Sequence, residues 1–148
     1  MKETAADAGL KLMNGTHRLV LRATGGRLLG SVFGMPAVEL TVTGRKSGLA
    51  RSTMLTAPII DSDRVVLVAS KGGDDRDPEW FRNLRVNPDV EVKVIATGEV
   101  RRLRARVATA EEKAAMWPTI VASYKGYAGY QKRTDRDIPV VICGARTT

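Results

Sequence analysis

Two periodicities organise the chain. From Ala37 onward apolar and polar residues alternate, with Val38, Leu40 and Val42 set against Glu39 and Thr41. Successive strand side chains point to opposite faces, so this is the pattern of a half-buried strand. Upstream the period is longer: Leu10, Met13, His17 and Leu21 recur every three or four residues, which predicts a helix over residues 5–23 ended by Gly25-Gly26. Lys11, Arg18 and Arg22 lie nearer its other side. Met54 to Ile60 reads as a second strand, Asp61-Ser62-Asp63 as a turn, and Val65 to Ala69 as a buried apolar strand, predicting a tight hairpin between these two strands. Asp77-Pro78 opens a helix, Asp as acceptor for free N–H groups and Pro at the first helical position. Trp80, Phe81 and Leu84 form its apolar side and Asn87-Pro88 stops it. Val90, Val92 and Val94 alternate with Glu91 and Lys93; after a turn at Thr97-Gly98-Glu99, Leu103, Ala105 and Val107 alternate with Arg102, Arg104 and Arg106, so one strand face is basic. Thr109 with Glu112 three residues on matches a capping box, starting a helix through Met116 and Trp117 that Pro118 kinks or restarts. Ile138 to Cys143 is the last strand.

The order is helix, three strands, helix, two strands, helix, strand. Short antiparallel strands with few helices predict a mainly β, α+β domain: a small barrel with helices packed outside. A length of 148 residues suits one domain, divided into an N-terminal helical segment (1–36) and the barrel (37–148). The single cysteine, Cys143, excludes an internal disulfide and a thiolate metal site. His17 reads as a packed histidine. Asp74, Asp75 and Asp77 lack calcium-loop spacing and read as a solvated acidic loop, so no metal is expected.

Charge adds a partner. Lys and Arg number 24 against 16 Asp and Glu, a net +8, which suits an anion: nucleic acid, a membrane surface or a phosphorylated small molecule. The arginine-rich strand at 101–106 lacks the interleaved aromatics of a single-strand binder. No apolar run approaches the ~20 residues of a membrane span. Glu3 and Asp7 precede no apolar core, so no secretory signal is read and a cytoplasmic protein is expected. The basic first helix either packs on its own domain or touches the inner face of the cell membrane.

Three segments could carry chemistry. Gly44-Arg45-Lys46-Ser47-Gly48, closed by Arg51, is a turn between strands with three cations. Its glycines let the backbone bend close to a ligand, its N–H groups can form an anion nest, and Arg can hold a phosphate bidentately. A solvated basic turn fits equally well, and the spacing is not that of a Walker loop. Ala69-Ser70-Lys71-Gly72-Gly73 leaves a buried strand with small residues against which a flat ring could lie; a plain strand exit is the simpler account. Tyr124, Tyr127 and Tyr130, all the tyrosines of the chain, are spaced by three and interleaved with Gly126 and Gly129. They suit either core packing or a pocket wall whose phenols donate hydrogen bonds or a proton.

These motifs fall in an order that resembles the deazaflavin (coenzyme F420)-dependent nitroreductase family, the Ddn-like F420H2-dependent quinone reductases. The resemblance runs from about Val38 to Cys143. It comprises Leu-Thr-Val-Thr-Gly-Arg-Lys-Ser-Gly at 40–48 with Arg51, Ala-Ser-Lys-Gly-Gly at 69–73, Asp-Pro-Glu-Trp-Phe-Arg-Asn-Leu at 77–84, Asn-Pro-Asp-Val at 87–90, and the tyrosines with Tyr-Gln-Lys-Arg-Thr-Asp-Arg-Asp-Ile-Pro-Val at 130–140. The resemblance implies a split β-barrel of the FMN-binding, pyridoxamine-oxidase-like kind and the cofactor F420, whose phosphate and polyglutamate tail are anionic. It assigns Arg45, Lys46, Ser47, Arg51 and Lys71 to those anions, and Met54, Leu55, Thr56, Ala69, Ser70, Gly72 and Gly73 to the neighbourhood of the ring. Trp80 and Asn83 fall on the helix bordering the groove. Tyr124, Tyr127, Tyr130 and Ser70 fall where the acceptor is shaped and protonated. The implied reaction is hydride transfer to a quinone, an activated enone or a nitro compound. Leu49-Ala50 replaces a frequent Gln-Pro, and Met54-Leu55-Thr56 stands where some members carry an aromatic, so the resemblance does not extend to nitroimidazole reduction in particular. A related barrel using FMN is the neighbouring alternative, and a basic nucleic-acid-binding module is the alternative of another class.

Overall fold

The computed structural model describes residues 31, 32 and 34–146; the helix predicted over 5–23 lies outside them. Eight strands form one antiparallel sheet: β1 (Ser31–Val32), β2 (Met35–Thr43), β3 (Ala50–Thr56), β4 (Ile59–Ile60), β5 (Val65–Val68), β6 (Asp89–Val94), β7 (Val100–Val107) and β8 (Val140–Ala145). Among the described residues three α-helices accompany them: α1 (Glu79–Val86), α2 (Ala110–Ser123) and α3 (Gly126–Arg133). Residues 31, 32, 35 and 36, which the expected helical segment would include, are strand.

The strand predicted over 54–60 is two strands. Pro58 has no N–H for a ladder, and the chain switches partners there. β3 pairs with β2 and β4 with β5. The tight hairpin to β5 is therefore short, Ile59 facing Val66 and Ile60 facing Val65, with the Asp61 carboxylate accepting from the N–H groups of Asp63 and Arg64 in the turn. This switch shapes the molecule. The sheet runs β3, β2, β6, β7, β8, β5, β4, so β3 and β4 lie at its two ends. Only Ala57 and Pro58 separate them in the chain. Two ends joined by so short a link must curl towards each other, which makes a split barrel.

Alternation decides the interior. Val38, Leu40 and Val42 of β2 meet Val90 and Val92 of β6, Leu103 and Ala105 of β7, and Val141 and Cys143 of β8, while Phe81 and Leu84 of α1 join the same cluster. β5 and β8 are buried on both faces, since Val66, Val68, Val140 and Ile142 pack outward under Met116 and Ile120 of α2 and Tyr127 of α3. That is why Val65 to Val68 reads as an unbroken apolar run.

The capping box at Thr109 forms as expected, Thr109 Oγ1 accepting from Glu112 N and the Glu112 carboxylate accepting from Thr109 N. Pro118 does not interrupt α2, which continues to Ser123. A separate α3 follows, after extended backbone at Tyr124. Asp77 does not cap α1. Pro78 occupies the cap position, and the Asp77 carboxylate instead accepts from Arg136. The basic face of β7 is neutralised by its neighbours: Arg102 meets Glu91 at 3.4 Å, Arg104 meets Asp89 at 3.6 Å and Arg106 meets Glu112 at 2.7 Å. Among the described residues no helix is long and apolar enough to cross a membrane.

Candidate functional site

The β2–β3 hairpin carries the first group of predicted residues. Gly44 N donates to Leu49 O and Gly48 N to Gly44 O, and Gly48 has a left-handed φ of +70°. Ser47 Oγ accepts from Leu49 N and steadies the turn. The three cations diverge. Arg45 folds onto α1, where its backbone N and Nη1 both donate to Asn83 Oδ1 (3.1 and 2.8 Å) and Nη1 also reaches Glu79 Oε2 at 2.8 Å. That bond holds the Glu79 carboxyl below its ordinary range. Lys46 and Arg51 are exposed, and no ion pair among the described residues involves either. Asn83, predicted at a cofactor groove, is buried as the acceptor that fixes this loop. Trp80, one turn earlier, is half-buried against the barrel core and meets Phe81 edge-on at 6.2 Å.

β3 links the hairpin to the tyrosines. Leu55 faces Val38 and packs on the barrel interior, while Met54 and Thr56 lie on the opposite, outer face. Met54, Leu55 and Thr56, predicted together at the ring, are thus divided, with Leu55 turned away from the other two. Ala69 also joins the interior. On the outer face Thr56 Oγ1 lies 3.2 Å from the Tyr127 hydroxyl, which also donates towards Met35 Sδ. The three tyrosine rings form an edge-to-face triangle, their centroids 5.4, 6.1 and 6.1 Å apart. The Tyr124 and Tyr130 hydroxyls are 3.3 Å apart. Burial raises the Tyr127 phenol, and burial with the Tyr124 contact pushes Tyr130 up to about 12, so both are weaker acids than a free phenol and serve as neutral hydrogen-bond donors.

The turn after β5 comes to the same place. Lys71, Gly72 and Gly73 have φ values of +46°, +64° and +86°, and Lys71 is the one non-glycine residue with positive φ among those described. Ser70 precedes the turn and is buried. A Cβ on Gly73 would stand 2.9 Å from Tyr130 O, so the turn rests directly on α3. Arg136 lies beneath it and donates to Ser70 O, Asp74 O and Asp77 Oδ1. Asp74 is paired with Arg76 and Asp75, itself exposed, accepts from Thr134, so this acidic stretch is a surface loop that its neighbours anchor. The anchoring role of Arg136 and Thr134 was not read from sequence, although both sit in the 130–140 motif. The second and third candidate segments are therefore one constellation, which β3 connects to the first.

Comparison with known proteins identifies the family. The family described as F420H(2)-dependent quinone reductase matches residues 13–145. The chain belongs to this family. It is similar to an F420H(2)-dependent quinone reductase of Mycobacterium tuberculosis, 36% identical over 140 residues and covering 93% of each chain. A solved F420-H2 dependent reductase, FDR-A, is 39% identical with a TM-score of 0.65, covering 73% of this chain and 93% of its own. A second solved relative, described as a domain-swapped dimer, is 35% identical with a TM-score of 0.67 and covers 89% and 96%. A Clostridium acetobutylicum protein of the pyridoxinephosphate oxidase family, 10% identical with a TM-score of 0.52 over 87% and 84%, shares the fold alone. Membership in the F420H(2)-dependent quinone reductases accounts for the motif order and for the split barrel, and it makes the chain a reductase by family.

Proposed function

We propose that this reductase binds F420 along β3 and passes a hydride from the reduced deazaflavin to an electron-poor small molecule, in the first place a quinone. The observation that carries the reading is the run of β3 from the exposed cations to the tyrosine cluster, of which Tyr127 is buried. Arg51 and Thr56 are five strand residues apart, roughly 17 Å at about 3.4 Å per residue, and since they project from opposite faces of β3, a ligand that reaches both follows the strand's free edge. That suits an elongated cofactor with anions at one end and a ring at the other.

The residues fit such a group. Lys46 and Arg51 stand exposed at the hairpin for the phosphate and acidic tail. Gly72 has no heavy atom near the site of a missing Cβ, so the backbone is open to close approach beside Lys71. Met54, Thr56 and Ser70 lie at the tyrosine end. When bound, the reduced deazaflavin supplies the hydride; the protein orients it and excludes water. Reduction of a quinone to the quinol takes up one proton beside the hydride. The hydroxyls of Tyr127 and Tyr130 are neutral hydrogen-bond donors for the developing negative charge. Activated enones and nitro compounds would use the same donors. The relatives' names specify F420H(2), and FMN finds no support among them. The nucleic-acid alternative loses its main ground, because the β7 arginines are paired with acids. A cytoplasmic setting stays with this proposal.

Titration of the protein with oxidised F420, followed by fluorescence, tests the reading. Lys46→Ala with Arg51→Ala is expected to weaken binding about tenfold, since two exposed ion pairs are worth roughly 1–2 kcal/mol together. Absence of saturable binding, or affinity indifferent to both changes, refutes it. Turnover of reduced F420 with quinones, enones and nitroaromatics then ranks the acceptors.

A further inference from the structure

We propose that Arg136 is a positioning residue that sets the left-handed turn at Ser70–Gly73 and locks it to the tyrosine helix, so that the cofactor side and the acceptor side of the site move as one body. The cofactor part of this inference rests on the function proposed above. Arg136 spends its planar guanidinium on three acceptors: Nη2 to Ser70 O at 2.9 Å, Nε to Asp74 O at 2.9 Å and Nη1 to the Asp77 carboxylate at 3.1 Å. Two of these acceptors, the Ser70 and Asp74 carbonyls, bracket the turn, so the side chain spans its mouth as a brace. Within the bracket lie three consecutive residues with positive φ, Lys71 among them. A side-chain-bearing residue is held in that region only where its surroundings over-determine it. The turn's own bonds, Gly73 N to Ser70 O and Asp74 N to Lys71 O, close it only locally.

The brace is tied to α3. Its own carbonyl accepts from Gln131 Nε2 at 2.8 Å, and Gln131 Oε1 accepts from Ile138 N and Lys113 Nζ. The Arg136 N–H donates to Thr134 Oγ1, whose hydroxyl holds Asp75. Tyr130 and Gln131 are neighbours on one helix, so the residues that fix Arg136 also fix the tyrosines. A lysine carries the same charge but presents one compact donor group in place of the planar fork, so it cannot span the three acceptors.

Hydrogen exchange of the ligand-free protein reads the brace directly. In Arg136→Gln and Arg136→Lys the amides of residues 70–77 are expected to exchange about tenfold faster, the equivalent of one charge-assisted hydrogen bond, while those of β6 and β7 do not change. In the same variants affinity for oxidised F420 should fall by about tenfold. Added guanidinium at low millimolar concentration should restore both readouts in Arg136→Ala, which a merely destabilised fold would not do. If Arg136→Gln fails to fold, the lysine variant carries the test. Wild-type binding of F420 together with unchanged exchange and affinity in the variants overturns the inference. Wild-type protein that binds no F420 overturns instead the proposed function and the cofactor role of the brace, and the exchange experiment still reads its grip on the turn.

Discussion

Gly73 shows how much a single position can decide. It combines φ of +86° with contact on α3, where a Cβ would lie 2.9 Å from Tyr130 O and 3.0 Å from Arg133 Cβ. Gly73→Ala should therefore destabilise the protein by about 1–3 kcal/mol through strain and displacement of α3. Urea denaturation of the variant measures this, and an unchanged midpoint would show that the turn can move away. Gly72, at φ +64° with open space around it, carries the backbone preference without the clash. Arg45 teaches a different lesson at this scale. The sequence marks it as a cation in a basic turn, yet its guanidinium is committed to Asn83 and Glu79, and the cations left exposed are its neighbours Lys46 and Arg51.

At the scale of elements, α2 is the part most completely legible from sequence. Its capping box is a local pattern, and the bonds it predicts are present. Its third residue does more than cap: the Glu112 carboxylate also takes both Arg106 Nη atoms at 2.7 Å, tying α2 to β7. The Arg106 contact first, then the Thr109 N–H, lower Glu112 from its ordinary 4.5 to about 2. A carboxyl whose folded value is lowered stabilises the fold above its unfolded value and loses that contribution as pH falls through the folded one. Wild type should therefore be more stable than Glu112→Gln at neutral pH, and the gap should close between about pH 4.5 and about pH 2. Thermal unfolding across that range checks it; a gap that persists below pH 2 would assign the effect to something other than charge. α3 was legible only as a row of tyrosines, because two glycines weaken its helical signal. The break at Pro58 had a local cause, but its consequence, a change of partner strand, was not local.

For the whole molecule, the barrel is held by one interior cluster and one outer cluster that share β5 and β8. Leu67 is fully buried in the interior. Leu67→Ala should cost about 2–5 kcal/mol, from lost burial and the cavity left behind. Chemical denaturation should show a lower midpoint with an unchanged slope; a loss below 1 kcal/mol would mean that the barrel collapses around the gap. The same closure carries the site. Bringing β3 and β4 to opposite ends of one curled sheet places Thr56 beside Tyr127, 71 residues along the chain, and Ser70 beside Arg136, 66 residues along.

Sequence by itself determined what depends on neighbours in the chain: strand period, the capping box at Thr109, the glycine turns, the positive charge and the ordered motifs that mark the family. Each is set by interactions within a few residues, or by a pattern that needs no partner to be seen. Tertiary structure alone decided which of those marked residues meet. It paired the β7 arginines with acids, turned Leu55 and Ala69 into the barrel, anchored the acidic loop with Arg136 and Thr134, and joined the Ser70–Gly73 turn to the tyrosines. The reason is physical. Alternation says which side chains share a face of a strand, but which face meets which is fixed by how the sheet closes, and that rests on contacts made across most of the chain.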